Sequence, residues 1–335
     1  MLKEMIFVKI LPLETNVPVK TLPNYAHPLG VMKAAGVDID NWIAQNLISI
    51  YNFANYLWFD IDYFSNWDCF ETTLITSKEL RWLQNGFIDC IRNAIDDNWY
   101  LSVFINEMYI PFSEVYKTCN VYHEIFVNGY DNERKIFYTA GYDGDLQYRQ
   151  HILAYDDFEK AFNAVPQSDI RILLYKVKKD YMVPPIDVNA VVEKLKCYLF
   201  SQGKSIAANN FYSFGISTYD VIIDDLKSML KENGDNIVVR IFHKFRLLLE
   251  HKQCLYKTLC FISPDKADLF LKICKRAENI FVFLIKYNDL KSEQINFLID
   301  SLIFMKNYEK SIFSTNNICI PEIIATYIQK ILERV

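Results

Sequence analysis

The hydrophobic period of this chain turns helical at Pro184-Pro185 and stays so to the end, and that change limits it to two architectures in tandem. Downstream, residues 187–200, 216–232, 237–256, 264–290, 292–306 and 321–334 carry apolar side chains three and four apart, with lysine and glutamate opposite them. That spacing predicts a nearly all-helical half. Upstream, the stretch from Trp99 to Ile110 is rich in aromatic and branched residues and closes at Pro111, the pattern of a strand. His123 to Val127 and Lys135 to Ala140 predict a hairpin turning at Gly129-Tyr130-Asp131-Asn132, and Tyr148 to Ala154 and Arg171 to Val177 read as further strands. A short helix opens at Tyr155-Asp156-Asp157-Phe158 and runs to about residue 164.

The first part of the chain reads as helices. Pro12, Pro18 and Pro23 keep the lead-in extended. Pro28 is placed in the first turn of a helix that Gly36 ends. Asp40 caps a second helix from Asn41 to Asn55, with Trp42, Ile43, Leu47, Ile50 and Tyr51 on its apolar face, and a third starts at Thr76 or Ser77 and continues through Leu83, Phe87, Cys90 and Ile91. Helices followed by an antiparallel sheet make an α+β domain over residues 1–183, with a helical domain over 184–335.

Composition removes several function classes. A net charge of -5 offers no electrostatic footprint for nucleic acid. The eight cysteines contain no Cys-x-x-Cys pair, which argues against a zinc site and a disulfide framework and for reduced thiols. No run reaches the roughly 18 to 20 apolar residues of a membrane span. With no secretory signal at the N-terminus, the expectation is a cytoplasmic protein that has no membrane partner.

The candidate chemistry centres on His123. An imidazole at the start of a hairpin strand is held by a rigid ladder and can be aimed across a cleft at a nucleophile on a separate helix. The helix N-terminus in question, Asn24-Tyr25-Ala26-His27, carries Ala26 and no thiol. Asp143, in the loop after the second hairpin strand, is the first choice for a carboxylate orienting the ring, with Asp131 and Glu124 behind it, and Asn24 or Asn16 offers an amide to an oxyanion. Plainer readings stand beside these: a structural histidine, a turn-forming aspartate, helix-end asparagines. Cys69, the nearest thiol in sequence, lies in an expected loop with no helix N-terminus before it.

The unit Asn24-Tyr25-Ala26-His27, then His123-Glu124-Ile125-Phe126-Val127-Asn128-Gly129-Tyr130-Asp131, then Phe137-Tyr138 and Tyr155-Asp156-Asp157-Phe158-Glu159-Lys160-Ala161, resembles the butirosin biosynthesis H N-terminal family of papain-like, C39-peptidase-like proteins. The resemblance covers roughly residues 10 to 165. It implies a papain-like domain with a helical accessory half, and an acyltransferase of thiotemplated natural-product biosynthesis that binds no cofactor. A cysteine at position 26, with His123 as base and Asp143 orienting it, would take an acyl chain from the phosphopantetheine arm of an acyl or peptidyl carrier protein. A small amine or diamine would then release it as an amide.

Ala26 departs from this pattern, so the resemblance implies a replaced cysteine or a chain that binds without turnover. Retention of His123, Gly129, Tyr130 and Asp131 favours replacement. The rival readings are a noncatalytic module that docks a carrier protein or peptide and a C39-like peptidase. Lys204, Lys244, Arg246, Lys252 and Lys257 are candidates for a basic patch facing an acidic carrier.

Overall fold

The computed structural model describes residues 7–53, 56–80, 86–144, 147–202, 213–232, 237–287 and 290–314. In chain order its elements are β1 (Val8–Ile10), α1 (Pro23–Ala34), α2 (Ile39–Asn46), β2 (Ile50–Phe53), β3 (Tyr56–Phe59), β4 (Phe70–Thr76), α3 (Ser77–Leu80), α4 (Phe87–Asp96), β5 (Tyr100–Asn106), β6 (Tyr122–Asp131) and β7 (Ile136–Tyr142). There follow β8 (Tyr148–Ala154), α5 (Tyr155–Asn163), β9 (Arg171–Val177), α6 (Val188–Leu199), β10 (Ser213–Phe214), α7 (Thr218–Glu232), α8 (Ile237–Ile262), α9 (Pro264–Lys286) and α10 (Ser292–Ser314). Helices and antiparallel sheet together make the α+β class. Among the described residues no helix is long and apolar enough to cross a membrane. The segment 321–334, read above as helical, lies outside the described residues.

The chain folds into two compact units, Met1–Asp38 with Asp62–Val183 and Ile39–Ile61 with Pro184–Val335. The first is built on a seven-stranded antiparallel sheet in the order β4-β9-β5-β6-β7-β8, with β1 added to β6. Ten-residue β6 is long enough to pair with β5 over Tyr122–Val127 and with β1 over Gly129–Asp131, while β7 takes Phe126–Asp131. Gly129 makes the second pairing possible, since a Cβ there would lie 2.8 Å from the Lys9 carbonyl oxygen and 2.9 Å from Ile10 Cα.

Gly129-Tyr130-Asp131 is therefore strand, and the turn falls three residues later, at 132–135. Asp131 Oδ1 accepts the backbone N–H groups of Glu133 and Arg134, both at 3.0 Å, and Lys135 takes a left-handed φ of 52°. The expected helix from Asn41 to Asn55 ends at Asn46, and Ile50 and Tyr51 belong to a hairpin that pairs Tyr51 with Trp58. The third expected helix is interrupted: Gly86, at φ 82°, precedes a new helix start at Phe87, and Leu83 lies outside the described residues. Thr76 and Glu79 do meet at the helix start, with Glu79 Oε2 accepting the Thr76 N–H at 2.9 Å, while Thr76 Oγ1 accepts the N–H of Lys78 at 3.3 Å and not that of Glu79.

The second unit gathers α6 to α10 with α2 and the three-stranded sheet β10-β2-β3. Residues 39–61 belong here because α8 binds them: Thr258 Oγ1 donates to the Ala44 carbonyl at 3.0 Å, and His251 Nε2 to the Ile48 carbonyl at 2.9 Å. Gly215 is dictated by close approach, since its φ is 56° and a Cβ would meet the Tyr198 carbonyl oxygen at 2.0 Å.

A charge sits at the centre of this helical core. Lys252 on α8 and Glu309 on α10, both fully buried, pair at 2.7 Å. Glu309 also accepts the hydroxyls of Tyr198 on α6 at 2.5 Å and Tyr219 on α7 at 2.8 Å. Lys252 Nζ donates to the Tyr198 oxygen at 2.8 Å. A buried pair is tolerated only when further hydrogen bonds support the ions, and here two tyrosines donate to Glu309 while one of them also accepts from Lys252. Removing one partner strands the other, so Glu309→Leu should cost about 3–5 kcal/mol of unfolding free energy. The double variant Lys252→Met/Glu309→Leu should recover part of that loss in urea melts, whereas additive losses would show that the two residues act independently.

Candidate functional site

Strand alternation decides which β6 side chains face α1. The register pairs His123 with Ile105, Glu124 with Phe104, Ile125 with Val103 and Phe126 with Ser102. Successive residues point to opposite faces, so His123 shares a face with Ile125, and Glu124 with Phe126. The Phe126 ring lies 4.9 Å from that of His27 on α1. Glu124 thus stands on the α1 face of the sheet, and His123, at the open end of the strand, forms a rim that is 46% exposed.

On that face lies a cleft of about 540 Å³. Leu74, Ser102, Phe104, Glu124, Arg171 and Leu173 form its floor, Tyr63 and Asn66 one wall, and Asn24 of α1 and His123 its rim. Glu124 is its electrostatic centre. Its carboxylate accepts the Tyr63 hydroxyl at 3.0 and 3.1 Å and the Ser102 hydroxyl at 3.1 Å, and Arg171 Nη2 lies 3.5 Å away. Burial, reinforced by the Glu124 charge, pushes the Tyr63 hydroxyl far above its ordinary pKa, so it remains a donor at any working pH. The Arg171 guanidinium lies 4.5 Å over the Phe104 ring.

The His123 ring has its own carboxylate, Glu107, which opens a 3-10 turn directly after β5. Nδ1 lies 3.7 Å from Glu107 Oε1 and 3.2 Å from the Glu124 carbonyl oxygen. Both neighbours are acceptors, so Nδ1 carries the proton of the neutral ring and Nε2 is left as an acceptor. Glu107 is steadied in turn by the Ser113 hydroxyl, which donates to Oε2 at 3.3 Å.

Asp143, the first choice for an orienting carboxylate, is engaged elsewhere. It accepts the Gln147 N–H at 2.9 Å and pairs with Arg149 at 2.7 Å, closing the β7–β8 loop. Asp131 is held by its turn, as described above. Asn24 lines the cleft. Asn16 lies toward the other end of α1, where its carbonyl accepts from Lys33 in the last helical turn at 2.8 Å. Nine helical steps, about 13.5 Å, separate Lys33 from Asn24.

Position 26 is sealed. Ala26 is fully buried and lines neither cavity that His123 borders. Helix α1 begins at Pro23, five residues before Pro28, so Pro28 falls inside it and supplies no N–H to the Asn24 carbonyl. Cys69 is buried at the start of β4, its thiol pushed up to about 12 by burial and by neighbouring Asp68. No thiol lines the cleft.

The basic residues proposed for a carrier-facing patch are occupied within the second unit. Lys252 is bound to Glu309, Lys244 to Asp225, Lys257 to Asp40, and Arg246 lies 3.6 Å from Glu250. Lys204 lies outside the described residues. Among the described residues no cluster of His, Cys, Asp and Glu is suited to a metal ion.

Sequence reading singled out neither Tyr63, Ser102, Arg171 nor Glu107. The one available signal was the β-branched run Thr72-Thr73-Leu74-Ile75-Thr76, which lies in β4 and places Leu74 in the floor. No family model matches the chain, and no curated protein does.

His27 beneath this site is fully buried, and burial, with the His123 charge added, lowers its pKa from 6.5 to about 3. The unfolded chain therefore binds a proton between these values that the folded chain refuses, and stability falls as pH drops through that window. At pH 4.5 this penalty is about 2–3 kcal/mol. Relative to pH 7, His27→Phe should lose less stability by about that amount in urea melts, and parallel pH profiles would rule the burial account out. An Ala26→Cys thiol should stay unreactive toward a disulfide reagent in the folded protein and react on unfolding; rapid native labelling would contradict the sealed position.

Proposed function

We propose that this chain is a noncatalytic binding module whose first unit takes an extended, amide-bearing chain, a peptide or the acylated arm of a carrier protein, into the cleft above Glu124. The observation that carries this reading is the lining itself. Amide and hydroxyl groups at Asn24, Ser65, Asn66 and Thr72 surround an internally satisfied carboxylate, and the helix position that the family resemblance reserves for a nucleophile is enclosed. Side-chain amides pair with backbone-like amides through donor and acceptor at once. The apolar part of the floor, Leu74, Phe104 and Leu173, would accept the aliphatic parts of such a ligand. A papain-like arrangement, with the N-terminus of α1 over one face of an antiparallel sheet, is part of this proposal.

A second reading keeps acyl transfer without a covalent enzyme intermediate, and the pairing of His123 Nδ1 with Glu107 favours it. The unprotonated Nε2 would take a proton from an acceptor amine as its nitrogen attacks the thioester carbonyl. The same proton would pass to the departing sulfur, leaving amide and free thiol. Glu107 then acts as a positioning residue for the base.

Calorimetric titration of the chain with an acyl-pantetheine thioester and with a mixed-sequence hexapeptide pool, followed by intact-mass analysis, separates these readings. Reversible binding with no mass increase and no amide product is the expected result. Amide formation in the presence of a diamine that His123→Ala abolishes would move the assignment to acyl transfer. Absence of binding to either ligand would remove both.

A further inference from the structure

We infer that the cleft holds the free carboxylate end of its ligand, with the Arg171 guanidinium as the anchor. This rests on the binding role proposed above and narrows the ligand to chains that end in a carboxylate.

The inference follows from which hydrogen-bonding groups of the cleft are already engaged. The hydroxyls of Tyr63 and Ser102 both donate to Glu124, so neither proton is directed at a ligand. Those bonds, with Arg171 at 3.5 Å, also fill most of the acceptor capacity of the carboxylate. A cationic ligand group would have to displace a hydroxyl from Glu124 to gain a partner there. A carboxylate must approach beside the Glu124 charge, but it displaces no existing bond at Arg171, whose planar fork carries five N–H donors and makes one long ion pair.

The fork is also held in advance. Arg171 opens β9 opposite Thr76, so its backbone is fixed by the sheet, and its guanidinium lies 4.5 Å over the Phe104 ring. An arginine pinned by a ring below and a carboxylate at one edge loses little freedom when a second carboxylate arrives at another edge. Two parallel N–H···O bonds to a planar carboxylate are what this geometry offers, and a lysine could not supply them. The N-terminus of α1, which brings Asn24 to the same cleft, carries no acidic residue in its first turn and so adds a favourable field for an anion.

Matched hexapeptide pools, one with free C-terminal carboxylates and one amidated, test this by titration against the full chain. The wild type should bind the free-acid pool about tenfold more tightly than the amidated pool, the scale of one charge-assisted hydrogen-bonded pair. Arg171→Gln should bind both pools with the wild type's affinity for the amidated one, at an unchanged melting temperature. Arg171→Lys should keep only part of the preference. Equal wild-type affinities for the two pools, or a preference that survives in Arg171→Gln, would overturn the inference while leaving the binding role intact. Failure of both pools to bind would remove the binding role and the anchor together.

Discussion

The alternation of side chains along β6 sets what the first unit can do. Because His123 and Glu124 are neighbours in a strand, they cannot share a face, and contact of Phe126 with His27 assigns the α1 face to Glu124. A one-residue shift of register would exchange the two. The strand is locked against that shift by pairing with β1, β5 and β7, and by Gly129, whose missing Cβ admits β1. The cleft is consequently organised around a carboxylate, with the imidazole at its edge.

The second unit depends on a different constraint, a buried ion pair that draws on several helices. Glu309 joins α10 to α6, α7 and α8 through Tyr198, Tyr219 and Lys252, while the Lys252 carbonyl accepts the Cys274 thiol of α9 at 3.3 Å. An apolar core of leucine and isoleucine tolerates small rotations of its helices, whereas a saturated charge does not, because each displaced hydrogen bond exposes an ion to a low dielectric. Burial lowers the pKa of Lys252, and the Glu309 charge opposes that shift.

Much of the element order was legible in sequence, and the failures have particular causes. The strands over Tyr148–Ala154 and Arg171–Val177 match their expected limits, since short runs that hold aromatic and branched residues between turn segments leave little choice. The segment after Asp40 was read as one helix because Leu47, Ile50 and Tyr51 suit a helical face as well as a strand; pairing with β3 decides for the strand. The five basic residues of the second half read as candidates for a basic patch facing a carrier, yet Lys244 and Lys252 are buried, because the lysine stem is apolar and a carboxylate meets its head. Tyr63 and Glu107 carry no local pattern, and their roles arise from contacts with residues 61 and 16 positions away along the chain.

By itself the sequence determined the α+β class, the change to helices after residue 183, and His123 as a strand-initial imidazole, because periodicity, proline and glycine act through local backbone sterics. Only tertiary structure decided that residues 39–61 join the second unit, that Ala26 is enclosed, that Glu107 stands behind His123, and that Glu124, Tyr63, Ser102 and Arg171 line one cleft. Each of these depends on strand register and on the packing of distant segments, and no local pattern of residues encodes either.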